Sequence, residues 1–391
     1  MTVAFKTFVR ALAANSALLR GNNTAIPGRL TLVLGNESAD LDSMVSSISL
    51  AYALSQNTNL VVPVINTNRQ DMVLRPECDL LLRHTLSDIS ALTFIDDIDL
   101  TRLANESLDV WLVDHNAPAS RQAFLEPFVR GIVDHHIDEG KCLGAAQRQI
   151  EVVASCATLV AQRLWGLGVM DPDLAKLLIA PILVDSSNLN PAACRATPAD
   201  IASVQWLSTL VDWTPEQSLA SDDDMSLDVS GPDALYSTLN SLKGKVSHLS
   251  SYDLLRKDYK QWQVTDGTGK SWTVGISSIS FPLKKWIKRD GLSDIEQAVR
   301  HWIDKQRLDL ALVMTHGKTK EDGVKVYGRQ LIVASERDVG KVVDKLRDVD
   351  ILGLQPFDKT GGVWMFTQSR SESSRKQVFP AVKDVIEQLD Y

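Results

Sequence analysis

Four short apolar runs in the first half of the chain have aspartate at or just past their ends, and two of those aspartates are followed at once by histidine. LTLVL leads into Asn36, Asp40 and Asp42; VWLV into Asp114, His115 and Asn116; GIV into Asp134, His135 and His136; and PILV into Asp185. One aspartate after such a run is an ordinary turn or helix cap. Several carboxylates and three imidazoles brought to one place are another matter. They repel, and a buried carboxylate is costly unless it is paired or binds metal. A divalent cation is the economical answer, because hard cations take carboxylate oxygens and imidazole adds nitrogen. The Asp40-Leu41-Asp42 spacing adds geometry. In extended backbone, residues two apart point to one side, so both carboxylates reach one bimetal centre, each on a different ion. A helix starting near Ser43 then offers its N–H groups and positive end to phosphate.

These residues span about 150 positions, so a fold must gather them. Residues 29–34, 60–65, 93–95, 110–113 and 131–133 read as strands, with Pro63 predicting an edge position or a bulge in the second. Residues 42–54, 155–167 and 174–183 read as helices, the last running into Val184 and Asp185. This alternation predicts an α/β fold: a mainly parallel sheet flanked by helices, whose strands present their carboxyl ends along one edge where ligands bind. Residues 218–232, SLASDDDMSLDVSGP, are polar, acidic and close on Gly-Pro, which reads as a linker or exposed loop. We therefore expect a metal-binding catalytic domain over 1–225 and a smaller α/β domain over 226–391. In the second, helices are expected over 235–259, 294–306 and 376–389, and strands over 271–279, 308–314 and 325–334.

Composition sets outer limits. The chain has 391 residues, 44% hydrophobic and 23% charged, which suits a soluble globular protein and argues against disorder or a fibrous repeat. Four cysteines without a CxxC pair argue against a thiolate zinc site and a disulfide scaffold, and fit a reducing compartment. No apolar run approaches the ~20 residues of a membrane helix. The first twenty residues carry three basic and no acidic side chains. They read as a plain amphipathic helix, with a mitochondrial presequence as the alternative. The net charge of −8 is unevenly spread: residues 1–244 hold 16 Lys+Arg against 29 Asp+Glu, and the remainder 25 against 20. An acidic half suits hard cations and a basic half suits a polyanion.

With these motifs in place, the sequence resembles the DHH phosphoesterase family, whose signature is Asp134-His135-His136. Its supporting motifs are Asn36-x-x-x-Asp40-x-Asp42, Asp114-His115-Asn116 and Asp185 in LVDSSNL. The second half resembles the associated DHHA2 domain, through Asp258-x-Lys260 in RKDYKQW and Ser374-Arg375-Lys376-Gln377 in SRKQVFP. The resemblance implies two divalent cations, one held by Asp40 and Asp114 near Asn36, the other by Asp42, Asp114, His135 and Asp185, with Asp114 bridging. It implies that water activated by the ions attacks a terminal phosphorus in line. His136 would contact phosphate or protonate the leaving oxygen, and Asp134 and His115 would orient ligands. Asn36, Lys260, Ser374, Arg375 and Lys376 would bind substrate phosphates.

Within the DHH–DHHA2 group, family II inorganic pyrophosphatases carry His at the position of Asn36, and prune-like proteins commonly carry Arg at the position of His136. Asn36 with an intact DHH resembles the fungal cytosolic exopolyphosphatases. The expected activity is therefore metal-dependent release of orthophosphate from the ends of inorganic polyphosphate. The alternatives are an inorganic pyrophosphatase, a prune-like short-chain polyphosphatase or cyclic nucleotide phosphodiesterase, or a catalytically silent interaction protein on the same scaffold. Amide in place of imidazole favours Mg²⁺ over Mn²⁺ or Co²⁺. The expected partners are polyphosphate or a pyrophosphate-like substrate, with no membrane and no nucleic acid; the chain is expected to be cytoplasmic and a monomer. Lys284, Lys285, Lys288 and Arg289 form the densest basic cluster, a candidate path for a long chain or simply a solvated helix face.

Overall fold

The computed structural model describes residues 4–21, 26–57, 60–86, 88–213, 227–321, 323–335, 340–360 and 363–389. The expected domain boundary at 225/226 lies outside these residues. The chain divides into two compact units, Met1–Lys243 and Gly244–Tyr391.

The first unit is built on six strands: β1 (Leu30–Leu34), β2 (Val61–Ile65), β3 (Thr93–Phe94), β4 (Leu108–Val113), β5 (Val129–Asp134) and β6 (Gln147–Ile150). Their order is β3-β2-β1-β4-β5-β6, and every pairing is parallel. β1 and β2 are buried at every position. Their unbroken apolar runs are what a parallel sheet covered on both faces requires. Pro63 stands opposite Val33 of β1, while β3 pairs only with Val64 and Ile65. β2 is thus interior at its carboxyl end and neighbourless on the β3 side at Pro63, where a missing N–H costs nothing. Helices Leu41–Ser55, Cys156–Leu167 and Pro172–Asp185 supply the apolar cover, with Met44, Val45, Ile48, Val160, Leu164, Leu177 and Leu178 in one core. The amphipathic Phe5–Arg20 helix lays Phe5, Phe8 and Leu12 onto the same core.

As the helix read over 174–183 implies, PILV is the last turn of the Pro172–Asp185 helix, so Asp185 ends a helix where the other motifs follow strands. One expectation changes here: Asp40 and Asp42 are not both in extended backbone. Asp40 is extended and caps the helix that begins at Leu41, so Asp42 already lies in its first turn.

The second unit holds β7 (Tyr259–Thr265), β8 (Ser271–Ile279), β9 (Leu310–Glu321), β10 (Val324–Ala334), β11 (Leu354–Thr360) and β12 (Val363–Gln368). The sheet order is β11-β12-β10-β9-β8-β7, antiparallel except for β8 with β9. The single helix expected over 235–259 is two, Pro232–Gly244 and Ser251–Lys257, and Tyr259 already belongs to β7. Gly244 and the Ser250 N-cap punctuate that stretch. Helices Leu292–Gln306 and Arg375–Glu387 match the expected periodicity, and Val378, Val382 and Ile386 of the latter enter the unit's core.

Candidate metal centre

The strand order reverses direction between β1 and β4, and in a parallel sheet the crevice at such a switch receives ligands. The loop after β1 brings Asn36 and Asp40 to it, β4 ends into Asp114, and β5 ends at Asp134 before the two histidines. Gly35 is required at this edge. A Cβ there would sit 2.5 Å from Ser43 Oγ, so only glycine lets the helix start come so close to the strand. Asp114 adopts φ +63° and Ala39 φ +43°, left-handed backbone that non-glycine residues adopt at a cost and that gathers at functional sites.

Asp114 is 2% exposed. Its Oδ2 accepts a hydrogen bond from Asn36 Nδ2 at 2.7 Å. Its Oδ1 is buried with no hydrogen-bond partner. Across from that oxygen, 3.2 Å away, lies His135 Nε2. The other ring nitrogen of His135 stands 3.0 Å from the Val153 carbonyl, which can only accept. Nδ1 therefore carries a hydrogen, and in the metal-free chain the carboxylates around Nε2 keep the ring protonated there as well. His135 Nε2 is also 3.7 Å from Asp42 Oδ2. A divalent cation that displaced the Nε2 proton would find that nitrogen and the buried Asp114 oxygen as a donor set. Ligating atoms of Asp114, His135 and His136 all lie within 4.8 Å of one another.

The electrostatics carry the same message. Burial pushes the Asp114 carboxyl well above its usual range, and Asp42 and Asp40 push it further. Burial likewise raises Asp42 and Asp185, and Asp40 raises both; Asp42 also raises Asp185. Burial opposes a charge on His135, but Asp114 and Asp42 outweigh it and hold its pKa at about 10. Without a cation the site crowds buried carboxylates that His135 and, at Asp185, Lys243 offset in part.

Each ligand candidate is held from behind. Asn36 donates through Nδ2 to Asp114, while its Oδ1 accepts from Ala39 N at 3.0 Å. The Ala39 N–H fixes which end of the amide points which way. Asp42 accepts from Cys156 N at 2.6 Å and Ala157 N at 2.9 Å, at the start of the Cys156–Leu167 helix, where anions are favoured. Asp40 Oδ1 accepts from Ser43 N, so that helix end is capped by the protein's own carboxylate and this N–H is not offered to phosphate as expected. Asp134, fully buried, accepts from the His135 and His136 amides and from His136 Nδ1, and Asn116 Nδ2 donates to its other oxygen at 2.6 Å. Its opposed effects of burial, which raises its pKa, and of His136, which lowers it, resolve to a lowered value. The His136 side chain is 57% exposed, and its Nε2 is left for a ligand. His115 is held neutral by burial, with Nδ1 on the Val113 carbonyl and Nε2 buried without a partner.

Lys243 belongs to this neighbourhood and was not legible in sequence. Its Nζ is 3.9 Å from Asp185 Oδ1, and although burial works against its charge, Asp185, Asp40 and Glu77 raise its pKa. It lies in an ordinary Leu-Lys-Gly context at the end of the Pro232–Gly244 helix, with no local motif to mark it.

The remaining expected residues lie in the second unit. Arg375 Nη2 meets Asp258 Oδ1 at 2.8 Å, and Nη1 donates to the Asp258 carbonyl at 3.3 Å. Ser374 caps the Arg375–Glu387 helix, with Gln377 closing the reciprocal capping box. Lys376 is exposed in the first turn and Lys260 is exposed on β7. The cluster at 284–289 falls on the Leu283–Asp290 helix, where Arg289 is taken up by Asp290 and the Ser247 carbonyl.

Comparison with known proteins agrees with this geometry. Residues 31–182 match the DHH family, N-terminal domain, and residues 237–385 match the DHHA2 domain. The chain is 32% identical to a Schizosaccharomyces pombe protein named "Putative exopolyphosphatase", with 95% of each chain covered. It is 29% identical to the Mus musculus protein named Exopolyphosphatase PRUNE1, over 91% of this chain and 75% of that one, and 28% identical to the Homo sapiens protein of the same name, over 91% and 76%. Among solved structures, a Methanococcus jannaschii protein titled "putative family II inorganic pyrophosphatase" shares the fold, with a TM-score of 0.57 and 19% identity over 91% of this chain and 99% of that one. The chain belongs to the DHH family and carries a DHHA2 domain.

Proposed function

We propose that this chain is a metal-dependent exopolyphosphatase, hydrolysing the terminal phosphoanhydride bond of inorganic polyphosphate and releasing orthophosphate. The observation that carries the reading is the buried Asp114 oxygen set 3.2 Å from His135 Nε2, among further carboxylates. Asp40, Asp42, Asp114, His135 and Asp185 would hold two divalent cations, with Mg²⁺ favoured over Mn²⁺ or Co²⁺ because Asn36 brings no imidazole. Such ions polarise phosphoryl oxygens and lower the pKa of water toward neutrality. The chain's own residues do the rest. Asn36 fixes the rotation of Asp114. Asn116 fixes Asp134, and Asp134 holds His136 by Nδ1, so that Nε2 can touch a phosphate oxygen or give a proton to the leaving one. His115 stays neutral and braces the loop after β4. Arg375, with its planar fork, and Lys260 and Lys376, as point charges, bind phosphates, while Ser374 sets the helix that presents them.

No helix among the described residues is long and apolar enough to cross a membrane. All four cysteines are free, which supports a cytoplasmic location, and we take the working unit to be a monomer.

The test is phosphate release from pyrophosphate, tripolyphosphate, long polyphosphate and cyclic AMP, after chelation and after return of Mg²⁺ or Mn²⁺. The reading expects no release without metal and release of orthophosphate from polyphosphate with it. Release from pyrophosphate alone would make the chain a pyrophosphatase. Turnover of cyclic AMP and tripolyphosphate but not of long chains would make it prune-like.

A further inference from the structure

The β9–β10 hairpin runs past the sheet that supports it. β8 accompanies β9 only as far as Thr315, and β12 accompanies β10 only from Arg329. Beyond these points the two strands pair with each other alone, in register as far as Glu321 opposite Val324. In an antiparallel pair, opposed residues and those two positions along share a face. One face of this arm therefore carries three rungs: His316 opposite Arg329, Lys318 opposite Tyr327, and Lys320 opposite Lys325. All six positions are basic or aromatic and none is a carboxylate. Lys318, Lys320, Lys325 and Tyr327 are exposed, and no described carboxylate pairs with the three lysines. Rungs about 7 Å apart make a cationic strip roughly 14 Å long.

Its base is tied to residues already assigned to phosphate. Arg329 donates through Nε to the Ser371 carbonyl, three residues before Ser374. His316 is near enough to both Arg329 and Asp258 to feel their charges, and Asp258 is the partner of Arg375. Like charges set directly opposite on neighbouring strands destabilise the pair. Lys320 opposite Lys325 is thus a local cost in an arm that no other strand supports, and an anion lying along the face would relieve it. A surface that only blunts a strand edge needs a charge, but not three rungs of one sign on one face.

We propose that this face of the β9–β10 arm is a binding track for the phosphoanhydride chain of polyphosphate, running outward from Arg375. It deepens the exopolyphosphatase reading and rests on it. Every internal phosphate is ionised at neutral pH, so a chain longer than the Arg375 neighbourhood can hold gains contacts rung by rung, and a short one cannot.

The experiment measures binding without metal and without turnover, on the full chain, for long-chain polyphosphate, tripolyphosphate and a single-stranded oligonucleotide. In the K318Q/K320Q/K325Q variant, long-chain affinity falls by roughly tenfold or more at low salt, with a shallower salt dependence, while tripolyphosphate shifts by less than about twofold. An unchanged long-chain affinity, an equal loss for both phosphates, or a loss for the oligonucleotide alone overturns the track. Failure of the hydrolase reading shows elsewhere, as no phosphate release by metal-loaded wild type.

Discussion

Asp114→Asn separates the energetics of the metal centre from those of the fold. The side chains are nearly isosteric. The carbonyl oxygen of the asparagine can keep the 2.7 Å bond from Asn36, and its amide then faces His135 Nε2 at 3.2 Å, where the orphaned oxygen stood. The substitution removes a buried charge that burial, Asp42 and Asp40 together disfavour more than His135 favours it. Relieving an uncompensated buried group is worth about 1–3 kcal/mol. A net gain of about 2 kcal/mol in the metal-free protein raises Tm by about 4–8 °C for a unit of this size. The opposite holds with metal. Cation at a hundred times its Kd stabilises wild type by about 2.7 kcal/mol, and that shift collapses in the variant, which has lost a charged ligand. Thermal melts with chelator and across a Mg²⁺ titration, beside phosphate release, measure both effects. A metal-free variant no more stable than wild type, or a cation-induced shift that survives the substitution, refutes the reasoning about Asp114.

Three further outcomes follow from other contacts. Asn36→Ala removes the donor that orients Asp114 and weakens divalent-cation affinity by about 10–100-fold, read by calorimetric titration of the metal-free protein; unchanged affinity would mean Asp114 needs no such support. Arg375→Ala breaks a half-buried ion pair worth about 1 kcal/mol, so Tm moves little while KM for polyphosphate rises and kcat falls; unaltered kinetics would remove Arg375 from the phosphate site. Asp266 accepts from Thr268, from Trp272 Nε1 and from Lys270 N, which hold its pKa down at about 2. The depressed value means its contribution to stability is present above about pH 4 and is lost as pH falls through 2. Asp266→Asn should flatten the decline in Tm across that window, and an identical acid limb in both proteins would count against it.

The sequence by itself determined the classes of thing this protein could be. Apolar runs ending in acidic residues announced parallel strands with a functional edge, since strands covered on both faces must be apolar throughout and the chemistry must lie where they stop. Asp40, Asp42, Asp114, Asp134, His135 and His136 were all visible that way, and so was the chain's division into an acidic and a basic half. The run over 174–183 read as a helix from sequence, and the fold carries that helix on to Asp185. From sequence Asn36 could be read only as near a metal or on substrate phosphate. In the folded chain Ala39 N donates to one end of its amide and the other end donates to Asp114, a contact no motif predicts. Lys243 had no signal at all, since its meaning comes from an aspartate 58 positions away. Residue types and local spacing fix which chemistry is possible, because they are carried along the chain. Which atoms face each other across a gap, and which buried oxygen is left without a donor, depends on contacts between distant segments and is settled only when the chain is folded.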